Sequence, residues 1–237
     1  MITIDLEKIP FAPGDRILDM GCGQGRHTAA VCGRQGVWCI GSDKSFQDLL
    51  QTREKLDVHR YMNDFSAAGA GLAASDIRQL PFQTESFDTV ICSEVLEHID
   101  RDEQAVRELL RVLKPGKILA VSVPKYVPEK LCWMLSTEYS SASGGHIRIY
   151  RKKELVAMIE RLGAKHAGTG HAHSLHTPFW WLKCLVGCNR KDSAAVNLYH
   201  RFLVWDIMKN PQVTRTVEKL LDPLLGKSLV LYFIKDA

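Results

Sequence analysis

The chain has 237 residues, 46% hydrophobic and 24% charged. That is too apolar for a disordered chain and long enough to bury a sizeable core as one domain. Its apolar runs fall short of the ~18 residues of a membrane span, and the start, with Asp5 and Glu7, lacks the basic-then-apolar pattern of a secretory signal. The net charge of +4 divides unevenly, about −6 over residues 1–100 and +10 over residues 101–237. A basic second half suits an anionic acceptor, nucleic acid or an anionic membrane surface, or is simply a solvated charged face.

The first two-thirds alternate short apolar runs with helical patterns. Ile17 to Met20 is an apolar run ending in Gly21, and His27 to Arg34 reads as a helix closed by a turn at Gly36. Val37 to Gly41 is a second run, Ser45 to Leu56 a second helix, Gly71 to Ala74 a weak strand and Phe87 to Cys92 a strong one. Asp100 and Glu103 stand at capping-box spacing before a helical repeat of Ala105, Val106, Leu109, Leu110 and Leu113. Lys114-Pro115-Gly116 stops that helix, and Lys117 to Val123 is a fifth strand. Leu155, Met158, Ile159 and Leu162 mark another helix, ended by Gly163. This alternation predicts an α/β fold with a parallel sheet and right-handed crossovers.

Two stretches break the alternation, and both are expected to be insertions in a single domain spanning 1–237. Residues 124–146 carry Trp133 and Tyr139. Residues 171–227 include a helix from Ala194 to Met208, with Leu198, Phe202 and Trp205 on one stripe, and a helical piece from Val213 to Leu221. Ser228 to Ile234 is then a last strand. About 15 residues precede the first strand, too few for a helical cap over a site, so these two insertions are expected to supply the lid, the first as the lid proper and the second on the acceptor side. The seven cysteines are odd in number and scattered, as in reduced cytoplasmic proteins. Cys184 and Cys188 lack a second ligand pair at finger spacing, so no metal site is expected.

The sharpest chemical signal is ILDMGCGQG, Ile17 to Gly25, where a strand runs into Gly21, Gly23 and Gly25 before a helix. Glycines there permit unusual backbone angles and close approach to a ligand. A dinucleotide loop wants a small residue one place later, where Arg26 stands. Asp19 would repel phosphates and suits a ligand that is cationic there. Asp43, roughly 20 residues on, can accept both hydroxyls of a ribose. Asp76 is placed to accept an adenine amino group.

These residues, followed by Leu80-Pro81-Phe82, FDTVICSEVLEHI (Phe87 to Ile99) and LKPGKIL (Leu113 to Leu119), resemble the class I S-adenosylmethionine-dependent methyltransferases. The resemblance is greatest to the group that includes the ubiquinone/menaquinone-biosynthesis enzymes, and it covers about residues 16–123 in family order. It implies a Rossmann-like seven-stranded sheet with the last strand antiparallel and a mostly helical insertion before it. It also implies S-adenosyl-L-methionine as cofactor. Asp19, Gly21, Gly23 and Gly25 would face its methionine part, Asp43 would bind its ribose, Asp76 and Ile77 its adenine, with Cys92 and Ser93 as the floor and Cys22 and Lys44 also among the cofactor-binding residues.

On the acceptor side, His98 lies past the end of the fourth strand, where the ligand crevice of such a sheet lies, and His146 opens HIRIY. Both are candidate catalytic bases. His146, Arg148 and Tyr150 alternate, so an extended segment would turn them to one face. Trp180 and Trp181, in HTPFWWLKCLVGC (His176 to Cys188), suit core packing, an apolar acceptor pocket or a membrane interface. His171, His173 and His176 read as an exposed strand end or lid edge. The expected activity is O- or C-methylation of a small or lipid-like molecule. Methylation of RNA or protein, or cofactor binding without catalysis, are the other readings; no recognition module accompanies the modest charge to point to nucleic acid.

Overall fold

The computed structural model describes residues 1–141, 144–190 and 192–237; residues 142, 143 and 191, inside the two expected insertions, lie outside the described residues. The described residues form a seven-stranded sheet in the order β3-β2-β1-β4-β5-β7-β6. Its strands are β1 (Arg16–Met20), β2 (Trp38–Asp43), β3 (Gly69–Ala74), β4 (Phe87–Ser93), β5 (Leu113–Pro124), β6 (Ala164–Ala172) and β7 (Ser228–Lys235). The first five pair in parallel, and β7 runs antiparallel between β5 and β6. This is the expected Rossmann-like methyltransferase sheet with its last strand reversed.

Period-two alternation divides the core between the two faces. Leu18, Val90, Leu119, Val121, Leu231 and Phe233 face one way, packing with Leu109 of α3 (Asp102–Val112) and Leu155 and Ile159 of α6 (Lys152–Arg161). Ile17, Ile91, Ala120, Val230 and Tyr232 face the other way, packing with α1 (Arg26–Cys32) and with Leu56 of α2 (Phe46–Tyr61). All of β4 is buried, as suits a central parallel strand.

Two local expectations are corrected. Asp100 does not cap α3: Arg101 holds the cap position, and Asp100 instead accepts from Arg78 at 3.1 Å. The ion pair outcompetes the cap. Likewise, β5 begins at Leu113, and its register against β4 jumps between Phe87 and Thr89, so Lys114 to Lys117 bulges out with Gly116 at φ +71.

Both irregular stretches are helical. The first holds α4 (Tyr126–Leu135) and α5 (Thr137–Ser140); the second holds α7 (His176–Val186), α8 (Ala194–Lys209) and α9 (Gln212–Leu225). The α8 stripe does not face inward. Leu198 is 69% exposed and Trp205 48%, while Val196, Leu203 and Asp206 form the buried side. Val213, Val217, Leu220 and Leu224 of α9 also face solvent. The polar side of α9 turns inward instead, because Arg215 bridges the buried carboxylates of Asp206 and Glu218.

Candidate functional site

The strand order reverses direction between β1 and β4, so the loops leaving their carboxyl ends diverge and open a crevice. A cavity of about 990 Å³ lies there, at the upper end of ordinary ligand pockets. Gly21, Gly23, Asp43, Lys44, Asp76 and Ile77 line one part; His98 and His146 line another, with Trp133, Ser140 and Ser141 from the first helical stretch.

The glycine loop is bolted in place from β2 and α2. The N–H groups of Gly21 and Cys22 donate to Ser42 O at 2.7 and 3.0 Å. Asp43 accepts from Gly23 N through Oδ2 and from Ser45 N through Oδ1, at 2.9 and 2.8 Å. Thr52 Oγ1 and Lys55 Nζ donate to the carbonyls of Gly23 and Gln24. Gly21 has φ +73, and a Cβ there would stand 2.2 Å from Val95 Cγ2; at Gly25, φ +75, it would stand 2.5 Å from Thr52 Cγ2. Close packing as well as backbone angle therefore demands glycine at both.

Asp76 is held by Arg78, whose Nη2 lies 2.6 Å from Oδ2 and whose N–H donates to Oδ1 at 2.9 Å. The guanidinium beside it keeps this carboxyl down at about 2. Asp19 lies in β1 and Cys22 within the loop, and neither lines the cavity. Asp19 is buried and accepts from Thr28 Oγ1 at 2.6 Å; burial pushes its carboxyl up to about 6. Burial and the nearby Asp19 push the Cys22 thiol up to about 12, which makes it inert. Cys92 and Ser93, expected as the floor, do not line the cavity: Cys92 is in the core, and the buried Ser93 has its Oγ 2.8 Å from Ser122 Oγ.

The other part of the cavity is built by two chain crossings. Leu96–His98 forms a 3-10 turn after β4, and Ile147 N donates to Glu97 O at 3.0 Å, which lays the 145–147 segment alongside it. The His98 and His146 rings meet edge to face, 4.9 Å between centroids. His98 Nδ1 lies 3.1 Å from Gly145 O, so it carries the hydrogen and donates. His146 Nδ1 lies 2.6 Å from Glu129 Oε1. Trp133 Nε1 and Tyr139 OH also donate to Glu129, at 3.1 Å each. Burial raises the Glu129 carboxyl, but its contacts with His146, Lys227 and Tyr139 outweigh that and hold it below the usual value. Burial, then the neighbouring His146, lower His98. Both imidazoles thus have Nδ1 tied, which fixes the plane of each ring.

Arg148 and Tyr150 are not brought to the cavity. The segment is not a strand, so alternation does not apply. Arg148 pairs with Asp102 and donates to Asp100 O at 2.8 Å, and Tyr150 OH lies 2.6 Å from Asp102 Oδ2. They pin the segment to the start of α3. Trp180 and Trp181 also lie behind the cavity wall. Trp181 Nε1 donates to Pro128 O at 3.1 Å, and Trp180 packs edge-on to Tyr139 with Lys183 and Lys227 over its ring. His173 and His176 are half-buried, not an exposed edge. The sequence does not mark Glu129 or Arg78, and it marks Trp133 only as part of the 124–146 stretch. Glu129 sits inside a helix with no spacing to mark it, whereas Arg78 could have been read as a partner two residues after Asp76.

Comparison with known proteins fits this geometry. Residues 18–121 match a family described as a methyltransferase domain. Demethylmenaquinone methyltransferase of Mycobacterium sp. (strain KMS) is 33% identical over 47% of this chain and 42% of its own length. The 27-O-demethylrifamycin SV methyltransferase of Amycolatopsis mediterranei is 31% identical over 73% of this chain and 62% of its own. Among solved structures, a SAM-dependent methyltransferase of Methanosarcina mazei superposes with a TM-score of 0.61 at 14% identity, covering 95% of this chain and 94% of its own. Over residues 18–121 the chain is similar to methyltransferase domains, and its fold is shared with solved methyltransferases over nearly all of the chain. It spans about half the length, or less, of the first curated relatives it matches.

Proposed function

We propose that this chain transfers the methyl group of S-adenosylmethionine to a hydroxyl oxygen of a small or lipid-like acceptor. One observation carries the reading. A single cavity joins the glycine loop with Asp43, Asp76 and Ile77 to a pair of histidines whose Nδ1 atoms are engaged by the Gly145 carbonyl and the Glu129 carboxylate. Its volume suits the cofactor together with a compact acceptor. The names of two matched relatives, an O-methyltransferase of Aspergillus nomiae and the rifamycin enzyme, favour oxygen over carbon.

In this reading Asp43 takes the ribose hydroxyls, Asp76 and Ile77 take the adenine, and Asp19 of β1 favours a cationic methionine end. The sulfonium is already an excellent leaving group, so the protein supplies alignment and exclusion of water. The acceptor oxygen attacks the methyl carbon; the O–C bond forms as the C–S bond breaks with its electrons left on sulfur. The hydroxyl proton is lost at the histidine wall, where Glu129 holds His146 in the tautomer that accepts. The 124–146 stretch acts as the lid, and Trp180 and Trp181 of the 171–227 stretch stiffen it from behind.

The test is a calorimetric titration with S-adenosylhomocysteine, with NADH in parallel, followed by transfer of a labelled methyl group to phenols, quinols and lipid extracts. Binding of the first and not the second is expected, and Asp43→Ala abolishes it while the circular dichroism spectrum stays native. Failure to bind S-adenosylhomocysteine, or equal affinity in Asp43→Ala, sinks the cofactor assignment.

A further inference from the structure

Glu97 is fully buried, and neither of its carboxylate oxygens has a hydrogen-bond partner among the described residues. Such a group is costly: an unpaired buried carboxylate loses its hydration and gains nothing in return. A proton would neutralise it but would leave a hydroxyl with no acceptor. Its charged neighbours are mostly of the wrong sign, the Glu94 and Glu129 carboxylates with Lys227 as the cation. What Glu97 does have nearby is two imidazoles. One ligand atom each from Glu97, His98 and His146 lie within 4.8 Å of one another.

The two histidines are already oriented as ligands. A metal-binding histidine normally donates its other ring N–H to a carboxylate or a backbone carbonyl, which fixes tautomer and ring plane. His146 Nδ1 meets the Glu129 carboxylate at 2.6 Å, and His98 Nδ1 meets the Gly145 carbonyl at 3.1 Å. In the neutral rings this puts both lone pairs on Nε2. Two ligand atoms sharing one ion at ~2.1 Å stand at most about 4.2 Å apart, so small side-chain rotations close the set. The backbone supports a built site as well. Glu94, four residues before His98, is held at φ +57 and lines the same cavity, with Ser122 Oγ donating to it at 3.0 Å. A non-glycine residue in that region is strained and persists where its surroundings over-determine it.

We infer that Glu97, His98 and His146 bind a first-row divalent cation at the acceptor end of the cavity, with Glu129 and the Gly145 carbonyl orienting the imidazoles. Two histidines and one carboxylate leave open coordination positions, the pattern of a catalytic rather than a structural ion. The inference rests on the methyl-transfer reading and replaces its histidine base: an acceptor hydroxyl on that ion would be acidified, lose its proton to solvent and attack as the oxyanion. The histidines then act as ligands to the activating ion.

The experiment is a Mn²⁺ titration of chelator-stripped protein, followed by the electron paramagnetic resonance signal of the free ion. Mn²⁺ prefers nitrogen and oxygen donors, so the seven cysteines do not compete for it. Wild type should remove the free-ion signal to one ion per chain. His146→Ala and Glu97→Gln should each abolish that binding, and Glu129→Gln should weaken it by about 10- to 100-fold. No loss of signal with wild type, or equal affinity in Glu97→Gln and His146→Ala, overturns the inference. S-adenosylhomocysteine titrations on the same samples report folding and the cofactor site separately, so a missing ion and a missing cofactor site give different results.

Discussion

Asp19 is an anion where the fold would prefer none. It is 1% exposed, and a single side-chain donor, Thr28 Oγ1, reaches it. Burial raises its carboxyl from 3.8 to about 6. Between those values the folded chain keeps a proton that the unfolded chain releases. Stability therefore falls as pH rises through that window and stays reduced at neutral pH, by on the order of 3 kcal/mol at most. Asp19→Asn keeps an acceptor for the Thr28 hydroxyl and removes the charge. It is expected to raise the melting temperature at neutral pH, flatten the pH dependence between 4 and 6, and weaken S-adenosylhomocysteine binding. A melting temperature at or below wild type at neutral pH would refute the account. The same scale exposes what sequence can carry. Asp19, Asp43 and Gly21 are legible because they stand at or beside strand ends, and Gly23 and Gly25 because they complete the loop that leads into α1. Glu129 and Glu97 are not, since their importance lies in which side chain they meet across the fold.

At the scale of elements, the strands and helices from Arg16 to Pro124 follow the reading of the sequence closely, because strand and helix periods alternate there with glycine or proline stops. The helical insertions follow it less well. A stripe such as Leu198, Phe202 and Trp205 normally turns inward, yet here the inward faces of α8 and α9 meet through charge. Asp206 is 1% exposed and pairs with Arg215, which also lies 2.7 Å from Glu218 Oε2. An apolar stripe cannot report that, since the deciding contact is an ion pair between helices. Arg215→Ala would leave two buried carboxylates facing each other. Removing one partner of a buried pair costs ~3–5 kcal/mol, and the partial exposure of Arg215 places this one at or below the low end. The loss should be local: amides of α9 exchange hydrogen faster while those of β4 do not change. Unaltered exchange in α9 would mean that the helices are held by something else.

Across the whole molecule, acid should release the clip that fastens the first residues to α1. His27 Nε2 accepts the N–H groups of Thr3 and Ile4 at 3.1 and 3.2 Å, and Thr3 Oγ1 lies 3.1 Å from His173 Nε2. Both His27 bonds require an unprotonated nitrogen. Burial, with Arg26 and the chain's amino terminus nearby, lowers His27 to about 3; burial and His176 lower His173 to about 3, and burial lowers His176 to about 4. Below the ordinary histidine value of 6.5 the unfolded chain takes up protons that the folded chain refuses, so stability falls as pH drops from 6.5 towards 4. Asp19 works in the opposite sense, as do the raised carboxyls of Glu97, Glu218 and Asp222, whereas the lowered His98 and His171 act with the clip histidines. His27→Gln offers an amide oxygen to the same two N–H groups and cannot titrate. It is expected to reduce the slope of stability against pH near pH 5.5 by about one proton, or ~1.4 kcal/mol per pH unit. His27 lies in α1, which starts directly after the glycine loop at Gly25, so the clip and the loop share one helix. S-adenosylhomocysteine affinity should accordingly fall with acid in wild type and fall less in His27→Gln. An unchanged slope in denaturant titrations of that variant would show that the histidines do not set the acid limit, and the coupling between clip and cofactor loop would fall with it.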